Sequence, residues 1–235
     1  MKDGFVKVAS ASPVIKVADC DYNADVVIDT IFEAENLGVK VLVFPELTLT
    51  GCSCKDLVAH KVILDGAARA LIKVCDATLG TDMLIFVGLP VEAGCRVYSC
   101  AAAICSGYLL GIVPRESVDG SPFASPEKDA RELNIAGVHS SFLCPDMLFE
   151  HAALPALKIG VEIGEDSEKL IPPSLRHASA GATIIARMAS FPETVDSDIK
   201  AGKDISTMSC RLSCGIVMAA PGRGESSTDN SYSGL

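Results

Sequence analysis

The feature that most limits the fold is an alternation: short apolar runs bounded by turn residues are separated by longer stretches with helical spacing. VKVLVFPEL, from Val39 to Leu47, is the clearest run. A run with so little polar interruption suits a strand covered on both faces. FVKVASAS, from Phe5, reads as an earlier strand. In the DYNADVVIDTIFEAENLG that follows, Val27, Ile31, Ala34 and Leu37 recur at helical spacing, and Gly38 stands where a C-terminal cap belongs. A second helix is expected across DLVAHKVILDGAARALIKVCDAT.

Three strands should come next, in MLIFVGLPV, VYSCAAAICSG and YLLGIVPR, the last two joined by a tight hairpin at Ser106-Gly107. From Arg115 to about Pro145 the composition changes, and RESVDGSPFASPEKD reads as a long surface loop with no strand before LKIGVEIG. Alternation resumes with the strand LKIGVEIG, a helical SLRHASAGA, the strand TIIARMAS, a helix through Lys200–Ser213 and the strand GIVMAAPG. The polar tail GRGESSTDNSYSGL reads either as a loop leading onward or as a frayed end. Two halves emerge, with paired strands in the middle that lack a crossover helix. They predict an α/β fold of the α-β-β-α sandwich type rather than one wound parallel sheet, in a single domain over residues 1–235.

Composition narrows the function classes. Hydrophobic residues make up 49% of the chain, enough for a sizeable core. The formal charge of −10 argues against nucleic acid or an anionic membrane surface as main partner. MKDGFVKVAS lacks the apolar core of a signal peptide, and no apolar run has the length of a membrane span, so a cytoplasmic location is expected. Of the ten cysteines, Cys75, Cys100 and Cys105 lie in apolar runs, where a free thiol behaves as a small hydrophobe. The CSC at Cys52–Cys54 and the pair Cys210/Cys214 lack zinc spacing, and His60, His139, His151 and His177 are scattered, so no metal or other cofactor is expected.

Three strand ends carry the candidate chemistry. In VFPELTLTG, Pro45 ends the strand and Glu46 follows at the mouth of the sheet, placed as a general base, as a loop cap or as the partner of a lysine. YLLGIVPR ends on Arg115, which either balances a carboxylate or oxyanion there or is a surface arginine. GVEIGEDS supplies Gly164, a tight turn or close backbone approach, and Glu165 with Asp166, which read locally as a solvated helix start.

Taken together, VFPEL, the IVP-plus-cation phrase and GVEI-x-ED resemble the nitrilase superfamily of carbon–nitrogen hydrolases. More narrowly they resemble the N-terminal glutaminase domains of bacterial glutamine-dependent NAD synthetases. The resemblance runs through KVLVFPELTLTG, GLPV, LLGIVP, GVEIGED, IPPS, AGATII and AAPGRGESSTD, in order along the chain.

The resemblance implies a nitrilase-like sandwich and a Glu–Lys–Cys triad of base, cation and thiol nucleophile. Glutamine or a small amide would be the ancestral substrate, a homo-oligomer the assembly and an NAD synthetase domain a further partner. The base position falls on Glu46, the lysine position on Arg115 and the nucleophile position on Gly164. A tyrosine that often follows the glutamate motif is here Cys52, and a tryptophan after the acidic pair is Ser167, the two positions expected to face substrate. The family pattern continues past GESSTD into a final strand, so a domain shortened at its C-terminal end is expected.

With no nucleophile at Gly164, an impaired or inactive glutaminase-type domain is the leading expectation. The alternatives are hydrolysis by a displaced thiol, Cys52 or Cys54, and a purely binding or oligomerising domain. No Ser-Gly-Gly phosphate loop occurs in the sequence, so synthesis of NAD is not expected of these residues.

Overall fold

The computed structural model describes residues 5–118, 122–135, 137 and 139–234. In chain order the elements are β1 (Val8–Ser10), α1 (Cys20–Asn36), β2 (Val41–Val43), α2 (Lys61–Ala77), β3 (Leu84–Ala93), β4 (Arg96–Cys105), β5 (Tyr108–Pro114), β6 (Arg131–Ile135), β7 (His139–Leu143), β8 (Phe149–His151), β9 (Leu154–Ile163), α3 (Pro173–Ser179), β10 (Ile184–Met188), α4 (Ser197–Leu212) and β11 (Gly215–Ala219). The strands form a seven-stranded sheet in the order β1-β2-β3-β4-β5-β7-β6 and a four-stranded sheet in the order β11-β10-β9-β8. Both are mixed: β1, β2 and β3 run parallel and β3, β4 and β5 antiparallel. In the smaller sheet β9, β10 and β11 are parallel and β8 is antiparallel to β9.

Side-chain alternation explains the layers. On β2, Leu42 turns outward into a core with Val27, Ile31, Leu71 and Val74 of α1 and α2. Its neighbours Val41 and Val43 turn inward against Val161, Ile163, Ala186 and Met188 of the smaller sheet. A strand between helices and a second sheet has no solvent face, hence its apolar run; each fully buried Val, Leu or Ile contributes roughly 1.5–3 kcal/mol. On β9, Ile159, Val161 and Ile163 face the larger sheet, and Gly160 lies under α3. A Cβ at Gly160 would stand 2.4 Å from His177 Nδ1, so glycine is what lets α3 pack this closely. The outcome is the expected α-β-β-α sandwich.

The hairpin between β4 and β5 turns on Ser106 (φ 51°) and Gly107 (φ 81°), both at positive φ as a type I′ turn requires. Gly38 (φ 75°) ends α1 and donates its N–H to Glu35 O at 2.8 Å.

Three expectations need correction. The second helix does not begin at Asp56: residues Cys52–Ala59 are 3₁₀-helical with Lys55 at φ 49°, and α2 starts at Lys61. That segment is held from outside, because Cys52 N–H and the Ser53 hydroxyl bond to Glu225. Beyond the polar stretch after Arg115, of which residues 119–121 lie outside the described residues, the chain forms the β6–β7 pair that extends the larger sheet. Leu133, Ile135 and Leu143 join the core there, which explains strands where the turn-rich composition suggested none. Of the two readings of the tail, the frayed end falls: Tyr232 is 5% exposed, and Glu193 N–H bonds to Ser231 O at 2.7 Å.

Candidate active site

Glu46 leaves β2 in a turn that passes directly over β3. A Cβ at Gly88 would lie 2.4 Å from both Pro45 O and Leu47 N, so only glycine admits the turn. The Glu46 N–H donates to Ala189 O, just past β10, at 3.2 Å, which ties the turn to the smaller sheet. Its side chain is fully buried. Oε1 accepts from the Ser99 hydroxyl of β4 at 2.5 Å and from Arg115 Nη1 at 3.1 Å.

Arg115 follows β5 and is 7% exposed, so the surface-arginine reading falls. Its backbone N–H bonds to Ser99 O at 2.7 Å, and the Phe123 ring centroid lies 5.6 Å from its Cζ. A buried cation beside a buried carboxylate is the arrangement the two strand ends were expected to form if they act together.

Gly164 comes third, at the end of β9 with φ 53°. A Cβ built there would stand 2.3 Å from Glu46 Oε2, 3.0 Å from Ser190 Oγ and 3.2 Å from Arg115 Cδ. Conformation and crowding therefore both call for glycine. Among the described residues Glu46 Oε2 is buried without a hydrogen-bond partner. One oxygen of the carboxylate is thus held twice and the other lies against the Gly164 backbone.

Of the acidic pair, only Glu165 is exposed. Asp166 is 1% exposed, against the expectation of a solvated helix start. Its carboxyl accepts the backbone N–H groups of Glu116 at 2.9 Å and Ser117 at 2.5 Å, pinning the segment after Arg115 to the Gly164 turn. Burial pushes Asp166 up to about 6, against the pull of those two bonds. Ser167 donates to Gly164 O at 3.4 Å and so folds back on its own turn.

The thiols are poorly prepared for attack. Cys52 Sγ donates to Glu46 O at 3.0 Å, and the Cys52 N–H donates to Glu225 Oε2 at 2.5 Å. Burial pushes the Cys52 thiol well up; Glu225 and Glu46 push the same way, and Arg115 only partly offsets them. Cys54 and Cys100 are raised by burial too. A thiol that stays protonated is a weak nucleophile. Glu225, in the tail, is 1% exposed and raised to about 7, chiefly by burial and also by Glu46.

The structure therefore gathers Glu46, Arg115, Gly164 and Cys52, while Ser167 belongs to the turn. Sequence reading missed Ser99, Asp166, Ser190 and Glu225 as parts of this cluster. A serine inside the apolar run VYSCAAAIC was a signal for the first, and the acid of the GESSTD phrase for the last. Among the described residues no group of three or more His, Cys, Asp or Glu could hold a metal ion, and no helix is long and apolar enough to cross a membrane.

Known proteins resemble this chain over nearly its whole length. Residues 7–205 match the carbon-nitrogen hydrolase family. The glutamine-dependent NAD(+) synthetase of Mycobacterium tuberculosis (strain ATCC 25618 / H37Rv) is 32% identical over 238 residues, covering 98% of this chain and 35% of that protein. That of Mycobacterium leprae is 31% identical with the same coverage. The chain thus spans about a third of the length of these curated relatives. In fold, a glutamine-dependent NAD(+) synthetase from Cytophaga hutchinsonii superposes with a TM-score of 0.79 at 21% identity, over 92% of this chain and 36% of that one. Saccharomyces cerevisiae Nit3, a member of branch 10 of the nitrilase superfamily, superposes at 0.74 and 14% identity, over 97% and 79%.

Proposed function

Because this chain belongs to the carbon–nitrogen hydrolase family, we propose that it is a glutaminase-type domain whose amide-hydrolysing site is disabled. In this reading it is kept as a non-catalytic companion of an NAD synthetase region. Glu46 holds the position of the general base, Arg115 that of the stabilising lysine and Gly164 that of the attacking cysteine. Cys52 and Ser167 occupy the positions that would face glutamine or a small amide.

The observation that carries the reading is Gly164 itself. Amide hydrolysis of this kind begins with a thiolate attacking the carbonyl carbon while a base takes the thiol proton. At Gly164 there is no thiol, and Glu46 Oε2 lies 2.3 Å from where its Cβ would stand. Losing a nucleophile costs on the order of a million-fold in kcat in the best-studied triad. Arginine for lysine changes the fit as well, since a planar fork replaces a compact ammonium.

A displaced nucleophile is the second reading, and the 3.0 Å contact of Cys52 Sγ with Glu46 O favours it over any other thiol. Against it stand the raised thiol and the bond that engages it.

The test is ammonia release from glutamine by the purified chain, before and after alkylation with iodoacetamide. No release above the buffer control in either sample is expected. Release abolished by alkylation would transfer the reaction to a displaced thiol, and release that survives alkylation would sink both readings.

A further inference from the structure

At the opposite end of the sandwich from Glu46 and Gly164, a cleft of about 980 Å³ opens between the two sheets. Val41 and Leu84, at the starts of β2 and β3, and Leu110 of β5 line one wall. Phe149, Leu157 and Ile159 line the other. Phe149 is braced edge-on by Phe86, with ring centroids 5.4 Å apart. The cleft reaches the core between the sheets, where Val41 and Ile159 are 1% and 2% exposed. Leu110 is 48% exposed there, on the same strand as the buried Leu109 and Ile112.

We propose that this cleft binds a neutral, predominantly apolar small molecule. Its size falls within the roughly 300–1,000 Å³ of ligand pockets, and its walls are aliphatic and aromatic, as such pockets require. Neutrality follows from the mouth, where each charged group has its own partner. Lys40 Nζ pairs with Asp82, 2.6 Å from Oδ2, and Glu150 pairs with Lys158 at 3.0 Å. A charged ligand would have to break one of these pairs or lose its hydration without compensation.

Polar recognition is available at two points. Thr81 lines the cleft, is 4% exposed, and among the described residues its side-chain hydroxyl has no hydrogen-bond partner. A buried hydroxyl left unmatched is a cost that a ligand's polar atom can relieve. His151, also in the lining, accepts the Ala153 N–H at Nδ1 (3.2 Å), which assigns the proton of the neutral ring to Nε2 as a donor. The site thus suits a molecule with an apolar body and one hydrogen-bonding group. A second copy of the chain is the weaker occupant, because the deepest wall residues lie beyond the reach of a flat surface.

The experiment is a fluorescence titration of the full chain with the neutral probe N-phenyl-1-naphthylamine, with sedimentation run in parallel. One saturable site is expected, weakened at least tenfold by Leu110→Arg and by Ala153→Trp. Leu110 is half exposed and Ala153 exposed, so neither change disturbs the core, and Ala153→Trp stands alone if Leu110→Arg misfolds. Val195→Ser, at an exposed position outside the cleft, should leave binding unchanged. A rise that does not saturate, affinity in both cleft variants equal to that of the unaltered chain, or exclusion of the probe by self-association would each overturn the proposal.

Discussion

Among the described residues two glutamate–arginine pairs are buried, and they are built differently. Glu162 on β9 faces Arg187 on β10 in register. Arg187 Nε donates to Glu162 Oε1 at 2.9 Å, and the Ser174 N–H at the start of α3 donates to Oε2 at 3.1 Å. Arg187 Nη1 then continues to Asp204 of α4. Both carboxylate oxygens are used, and the network fastens two helices to the smaller sheet. At Glu46 the balance is lost: Oε1 takes Ser99 and Arg115, while Oε2, among the described residues, takes nothing. Fully satisfied buried charge is what a frame requires. An orphaned buried oxygen asks for another explanation, and on the proposed reading it is what remains of a site built for chemistry.

The sharpest way to break that contrast is to neutralise each glutamate in turn. Glu162→Gln places an amide donor against one of two existing donors and leaves Arg187 without its buried counter-charge, so a loss of about 3 kcal/mol or more is expected in urea denaturation. Glu46→Gln also removes a buried counter-charge, that of Arg115, but can turn its amide to the unbonded side and keep Oε1 bonded, so a smaller loss of about 2 kcal/mol is expected. Equal losses would mean that the two pairs play one structural role.

The tail supplies an effect of comparable size. Glu225 is raised from the ordinary 4.5 to about 7 by burial, with Cys52 and Glu46 beside it. A carboxyl whose folded value is raised adds stability that is fully present below about 4.5 and lost as pH rises through about 7. The whole swing is about 3 kcal/mol, at 1.36 kcal/mol per unit. Asp166, raised to about 6, acts with the same sign in a lower window. Glu225→Gln should flatten the upper part of the stability–pH curve, and an unchanged curve would remove Glu225 from the buried cluster.

A further effect is expected at Gly164. Gly164→Ala should cost about 1–3 kcal/mol, from overpacking against Glu46 together with a positive φ. In a Glu46→Ala background the cost should fall, because the atom 2.3 Å from the new Cβ is gone. A double-mutant cycle without coupling would place the strain elsewhere.

How much of this could be read from the chain alone depended on range. The apolar run around Leu42, the helical spacing from Val27 to Leu37 and the Ser106-Gly107 turn each report a local property: which face is buried, or which φ the backbone needs. Those properties repeat within a few residues, so the layers of the sandwich were legible. Pro45, Pro114 and the glycine after Ile163 also marked three strand ends as sites, and the ordered motif phrases tied them together.

What the chain alone left open were relations between distant residues. The Glu46–Ser99 bond spans 53 positions, and the bond from Cys52 N–H to Glu225 spans 173. Burial of Asp166 came from backbone groups 49 and 50 positions away, so its place beside an exposed Glu165 said nothing about its fate. The same holds for the 3₁₀ segment at Cys52, straightened into a helix by local propensity and bent by a carboxylate from the tail. By itself the sequence determined the architecture and singled out Gly164, the residue on which the proposed reading turns. Only the tertiary structure decided that Glu46 already lies against it, because that depends on how closely two sheets and three strand ends converge.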